Sequence, residues 1–249
     1  MDASRREGLR HLLLALAAAL PAAAAAAARA ARAQEGAGGN GPDWFPRPFR
    51  GDAPVPRFRA SGGAVAVEGA PGAAGMVVRR VSGPPGCLAW RWRVDAGPPP
   101  TDLTARPGDD RALCVWVGFD GWPPGATLAQ RAAFAVAESR DRSGLPLPRS
   151  ALGYAFGGLG APRGFFPSPS LRGLGMVRVL RPASLPQGRW FEEHVDLAAD
   201  WRAAFRAGEG DPAPPLLELA VSSDGDATGS AVDARVGDLR LGSPGGACR

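Results

Sequence analysis

The chain has 249 residues, and all 29 of its Lys+Arg positions are arginine, set against 24 Asp+Glu for a net charge of +5. Five arginines and two carboxylates precede Gln34, so the remainder carries 24 against 22 and a net charge of +2. That balance, with no basic run interleaved with aromatics, excludes a nucleic-acid footprint.

At the N-terminus, Arg5, Arg6 and Arg10 precede an apolar run from Leu12 to Ala28, and Ala31-Arg32-Ala33 offers a small-x-small cleavage site. This order predicts an export signal over 1–33 and a periplasmic or secreted bacterial protein. An uncleaved anchor is the alternative. Pro21, Arg29 and Arg32 make a poor spanning helix, so no membrane span is expected after cleavage. Ser4-Arg5-Arg6-Glu7-Gly8-Leu9-Arg10 resembles a twin-arginine motif with Gly8 where an aromatic is preferred, and general secretion is the other route. Residues 34–52 are rich in Gly, Pro and Arg and read as an exposed segment that docks through Trp44, Phe45 and Phe49. Residues 53–242 are long enough for one domain with its own core, and 243–249 form a tail.

Within that domain, short strands alternate with Gly/Pro turns. Expected strands are Ala64–Glu68, Met76–Val81, Leu88–Val94, Leu113–Phe119, Met176–Leu180, Leu216–Val221 and Ala231–Leu241. The clearest is Leu88-Ala-Trp90-Arg-Trp92-Arg-Val94, whose period of two puts the bulky apolar residues on one face and Ala89, Arg91 and Arg93 on the other. In the last strand the apolar register slips at Gly237-Asp238, which predicts a bulge. Thr127-Leu-Ala-Gln130 is a capping box for a helix running toward Glu138. Asp196 caps a second helix with Leu197, Trp201, Ala204 and Phe205 on one side and Gly208 as its stop. The expected fold is an all-β, jelly-roll-like antiparallel β-sandwich with two short helical insertions.

Three cysteines, Cys87, Cys114 and Cys248, cannot all pair within one chain. A hairpin between the strands bearing Cys87 and Cys114 would separate those two beyond disulfide reach. Structural indifference is expected of all three, and their spacing does not suggest zinc.

Several segments together resemble the bacterial "domain of unknown function 3047" family. They are Trp90-x-Trp92-x-Val94, Gly108-Asp109-Asp110, the helix from Thr127, and Leu147-Pro148 through Leu152-Gly153-Tyr154-Ala155-Phe156. The series continues with Gly188-Arg189-Trp190, Val195-Asp196, Asp200-Trp201 to Phe205, Asp224-x-Asp226-x-Thr228 and Gly237-Asp238-Leu239. Ala227 and Phe156 depart from the family's usual asparagine and tryptophan. The resemblance implies a secreted sandwich and carries no established activity.

Two constellations could carry function. If Val94 pairs near Leu113, Arg93 lies opposite Cys114 and Arg91 opposite Trp116, on the face away from the core. A guanidinium over an exposed indole contributes only ~0.5–1 kcal/mol, less than the ~1.5–3 kcal/mol of burying a large apolar side chain. Trp116 is therefore either covered by the N-terminal segment or an inserted helix, or it is a platform for a ligand such as a sugar ring. Tyr154 could line a pocket beside the sandwich opening, or pack its ring and bond a carbonyl. In the loop Asp224-Gly225-Asp226-Ala227-Thr228, alternate oxygens from Asp224, Asp226 and Thr228 could gather on calcium. The same residues also make ordinary turns. Asp109, Asp110 and Asp238 could join only if the fold gathers them.

No catalytic set emerges. His194 is the one histidine after the signal, and no Gly-x-Ser-x-Gly elbow accompanies it. Glu192 and Glu193 are adjacent on a strand and face opposite ways, so they cannot form a hydrolase pair. The candidate ligand-binding residues are thus Trp116, Arg91, Arg93 and Tyr154, and the candidate metal ligands Asp224, Asp226 and Thr228. The reading is a non-catalytic envelope module with a glycan or another ligand. Its alternatives are a glycan-active enzyme on the same fold and a structural protein that binds another envelope protein.

Overall fold

The computed structural model describes residues 43–49, 53–159 and 164–243. The expected export signal and residues 244–249 of the tail lie outside them. Among the described residues twelve strands form: β1 Trp44–Pro48, β2 Arg57–Ser61, β3 Ala64–Gly69, β4 Ala74–Arg80, β5 Cys87–Ala96, β6 Arg111–Phe119, β7 Ser150–Phe156, β8 Phe166–Pro167, β9 Gly175–Arg181, β10 Phe191–Asp196, β11 Leu216–Asp224 and β12 Val232–Leu241. Helix α1 spans Leu128–Arg140 and α2 spans Leu197–Phe205. The strands make a seven-stranded sheet, β1-β4-β11-β6-β7-β9-β8, and a five-stranded sheet, β10-β5-β12-β3-β2. This is the all-β sandwich with two helical insertions that the sequence predicts. One pair departs from the antiparallel expectation: β7 and β9 run parallel, because β8 returns along the far side of β9.

The core between the sheets follows the period of two. Leu88, Trp90, Trp92 and Val94 of β5 meet Leu113, Val115, Val117 and Phe119 of β6 across the interior. Trp90 and Trp92 pack edge to face at 5.4 Å, an arrangement aromatic quadrupoles favour. A smaller apolar cluster lies on the other side of the large sheet. Cys114 and Trp116 of β6 join Val78, Ala151, Ala155, Val177, Val179 and Ala220 there, covered by Leu103 and Leu145 from the connecting segments and by Phe166 of β8. The middle of the large sheet is therefore buried on both faces, and every residue of β6 and β7 is buried.

The expected β5–β6 pairing does not form. The two strands belong to different sheets, and the connection after Ala96 carries the chain across the sandwich. β6 pairs instead with β11 and β7, while β5 pairs with β10 and β12. Trp44–Pro48, ahead of the expected domain start, is an edge strand of the large sheet. Trp44 is buried there, and the Arg47 guanidinium donates to Glu218 at 2.8 Å.

Both helix starts match their sequence signals. Thr127 and Gln130 form the reciprocal capping box, and the Asp196 carboxylate accepts from the Ala199 N–H at 3.0 Å. The second helix stops earlier than Gly208: Arg206 is its cap, in the left-handed region at φ 53°. No helix among the described residues is long and apolar enough to cross a membrane.

The cysteines correct the expectation of indifference. Cys87 is disulfide-bonded, whereas Cys114 is a free, buried thiol held up at about 12 by burial.

Candidate functional site

The outer face of the five-stranded sheet presents Arg91 and Arg93, as the alternation of β5 requires. The aromatic beside them is Trp190. The segment ending at Trp190 leads into β10, whose Phe191, Glu193 and Val195 alternate toward the interior. Trp190 is one residue out of phase with that set, so it faces outward and is 39 % exposed. Its ring lies 4.7 Å from the Arg91 guanidinium and 5.8 Å from that of Arg93.

The site is held from below and from the sides. Arg91 pairs with Gly237 of β12, and the ladder shifts register between Gly237 and Arg240, the bulge expected at Gly237-Asp238. The bulge puts Asp238 at φ 54° and its carboxylate 2.9 Å from Arg91 Nε. Re-aiming a side chain is what a bulge does. A Cβ on Gly237 would sit 3.3 Å from Arg91 Nε and 3.7 Å from the Trp190 ring, so this glycine forms the floor beneath both. Arg93 donates through Nε and Nη2 to Asp95, which also accepts from Arg235. These pairs occupy part of each five-donor guanidinium fork and fix its position.

Trp116, expected opposite Arg91, is in the other sheet. It is 7 % exposed, and its indole N–H donates to the fully buried Ser222 hydroxyl at 3.0 Å. Its ring covers Gly153, where a Cβ would fall 2.7 Å from Cζ3. Arg111, not Arg91, is the cation over it, at 5.6 Å. The proposed platform of Trp116 with Arg91 and Arg93 therefore does not assemble, because it required two strands of different sheets to pair.

Tyr154 is also fully buried. Its hydroxyl donates to Asp200 Oδ2 at 2.9 Å instead of to a backbone carbonyl, and burial pushes its pKa well up. Burial likewise raises Asp200, against the opposing effects of Tyr154 and of Arg178, whose Nη1 is 3.4 Å from Oδ1.

The loop after β11 does gather carboxylates. One oxygen from each of Asp110, Asp224 and Asp226 lies within 4.8 Å of the others. Asp238 is not among them, being committed to Arg91. Asp110, fully buried, organises the loop: it accepts from the Thr228 N–H and hydroxyl, both at 2.7 Å, and from the Ala227 N–H at 3.3 Å. Thr228 thus serves as a donor to Asp110 and not as a third arm of the cluster. Asp224 is raised to about 6, first by burial and then by Asp226, Asp110 and Asp109, with Arg111 opposing. Calcium takes six to eight oxygens, waters and backbone carbonyls among them, and Asp110, Asp224 and Asp226 would supply part of such a shell. Arg111 is the counter-charge to Asp224, with Nη1 at 3.8 Å from Oδ2.

The remaining ionisable groups of β10 are dispersed as their alternation demands. Glu193 points inward and accepts from the Trp92 indole at 2.9 Å and from Arg181 at 2.6 Å, while Glu192 and His194 face out.

Residues 44–240 match the family described as "Protein of unknown function (DUF3047)", and the chain belongs to that family. No curated protein matches it.

Proposed function

We propose that this DUF3047 protein is an exported, non-catalytic binding module of the cell envelope, and that its ligand is a glycan held on the outer face of the five-stranded sheet. Trp190 is the platform, with Arg91 and Arg93 at its rim. The observation that carries the reading is the exposed Trp190 ring between two guanidiniums that are each tied in place by a carboxylate. Burying a large apolar side chain stabilises by ~1.5–3 kcal/mol, and a fold that leaves this indole half in water forgoes part of that. A sugar ring recovers it, since its apolar face stacks on the indole while its hydroxyls meet guanidinium donors and the acceptors Asp95 and Asp238. The apolar run before Ala31-Arg32-Ala33 supports export, and so does the disulfide at Cys87, a bond that persists in oxidising compartments.

The test is binding of the chain from Gln34 to a panel of envelope and plant polysaccharides, with Trp190→Ala beside the parent. The reading predicts that the parent retains at least one polysaccharide and that Trp190→Ala, folded like the parent, does not. Equal retention by the variant, or no retention of any polysaccharide by folded parent, overturns it.

A further inference from the structure

The large sheet extends past β7 through β9 and β8, and α2 folds back over the inner face of this extension. Trp201 reaches Phe119 and the Ser150 hydroxyl, and Asp200 reaches Tyr154 and Arg178. Between α2 and the β8–β9 pair lies a cleft of about 760 Å³, within the range of roughly 300–1,000 Å³ that small-molecule sites occupy. We infer that this cleft binds a small organic anion with an apolar body. It is separate from the Trp190 face and does not rest on the glycan reading.

The lining sets the ligand class. Phe165, Pro167 and Met176 supply an apolar wall opposite the small side chains of α2. Three charged groups converge on the space: Asp200, Arg178 and Arg206. The Asp200 carboxylate is already served by Tyr154 on one oxygen and Arg178 on the other, so a cationic ligand would have to compete with both. Arg178 is in turn stacked 5.8 Å from the Phe165 ring, which holds it along the wall. With Arg178 balancing Asp200, the charge of the lining that no carboxylate meets is that of the exposed Arg206, whose guanidinium makes no hydrogen bond or ion pair among the described residues. An anionic group at Arg206 with its body along Phe165 and Met176 satisfies both walls.

The backbone at Arg206 points the same way. It caps α2 at φ 53°, a conformation that glycine adopts without steric cost and arginine does not. Stability alone would place glycine there, two residues before Gly208. The guanidinium at the mouth of the cleft is what the strained position gains, and strain of this kind gathers at ligand clamps.

Two dyes separate the parts of the proposal. 8-Anilinonaphthalene-1-sulfonate carries a sulfonate on an apolar body, and N-phenyl-1-naphthylamine is the same body without the charge. Titrated into the folded chain from Gln34, the sulfonate is expected to bind one to one and about tenfold more tightly than the neutral dye. Arg206→Gly is expected to weaken the sulfonate about tenfold while its Tm stays at or above the parent's, because the strained cap is relieved. Ala203→Phe, at an exposed position of α2 that lines the cleft, is expected to block both dyes, and Trp190→Ala to change neither. The inference is overturned by the absence of saturable binding, by equal affinity for the two dyes, or by unchanged affinity in Arg206→Gly. A Tm below the parent's in Arg206→Gly also overturns it, since the arginine would then be structural.

Discussion

Trp116→Ala is expected to act as a core mutation. The indole is 7 % exposed in the outer apolar cluster, seated on Gly153 beneath Leu103, Leu145 and Phe166. Removing a buried tryptophan costs about 3–5 kcal/mol. The variant also strands the Ser222 hydroxyl, a buried group worth ~1–3 kcal/mol when left unpaired. Allowing for overlap, the loss is about 4–6 kcal/mol, a large share of the ~5–15 kcal/mol that holds a domain folded. Trp190→Ala loses two half-exposed cation–π contacts and little packing, about 1–2 kcal/mol. Urea unfolding followed by far-UV circular dichroism measures both. A Trp116→Ala protein within about 1 kcal/mol of the parent would refute the two-sided burial of the large sheet, and with it the assignment of the platform to Trp190.

Three further outcomes follow from the same contacts. Gly153→Ala places a methyl 2.7 Å from the Trp116 ring, which cannot retreat through the covering segments, so a loss of about 1–3 kcal/mol is expected in the same urea assay. Asp224 has a folded pKa of about 6 against 3.8 for an ordinary aspartate, so the folded state holds its proton more tightly than the unfolded state does. Its contribution is favourable below the unfolded value and is lost as pH rises toward about 6, by roughly 3 kcal/mol. Asp224→Asn is therefore expected to gain on the parent by about that amount between about pH 3.5 and pH 7, in chelator; a difference that does not change with pH would contradict the burial of the Asp224 carboxylate. Asp110→Ala removes the acceptor of three loop donors, and hydrogen exchange at Ala227 and Thr228 is expected to rise sharply while β5 and β12 stay protected. Unchanged exchange would show that the turn is held by its own backbone.

Much of the fold is legible wherever one face of an element is wet. The alternation in β5, the capping box at Thr127, the Asp196 cap and the bulge at Gly237-Asp238 all come through, because each is a local signal. What fails is pairing. Consecutive strands usually neighbour one another, which favours a β5–β6 pair, yet the fold places these strands in opposite sheets. A sequence signal against it existed: Ala112 through Phe119 is apolar at both phases, as strands buried on both faces are. Such a strand has no outer face to lend a platform. The arginine half of the site was readable from period two in β5, and so was its tryptophan, since Trp190 is out of phase with Phe191, Glu193 and Val195. The meeting of Asp110 with Asp224 and Asp226 depends on β6 pairing with β11, a contact between distant segments that no local pattern encodes.

The central claim is that ligand meets this protein at Trp190. Seven tryptophans give seven indole N–H signals in a nitrogen-15 correlation spectrum, with Trp190 assigned from the Trp190→Ala spectrum. Titrating in a saccharide fragment of whichever polysaccharide the parent retains is predicted to move the Trp190 signal and leave that of Trp116 in place. Movement of Trp116 with Trp190 unchanged would contradict the account.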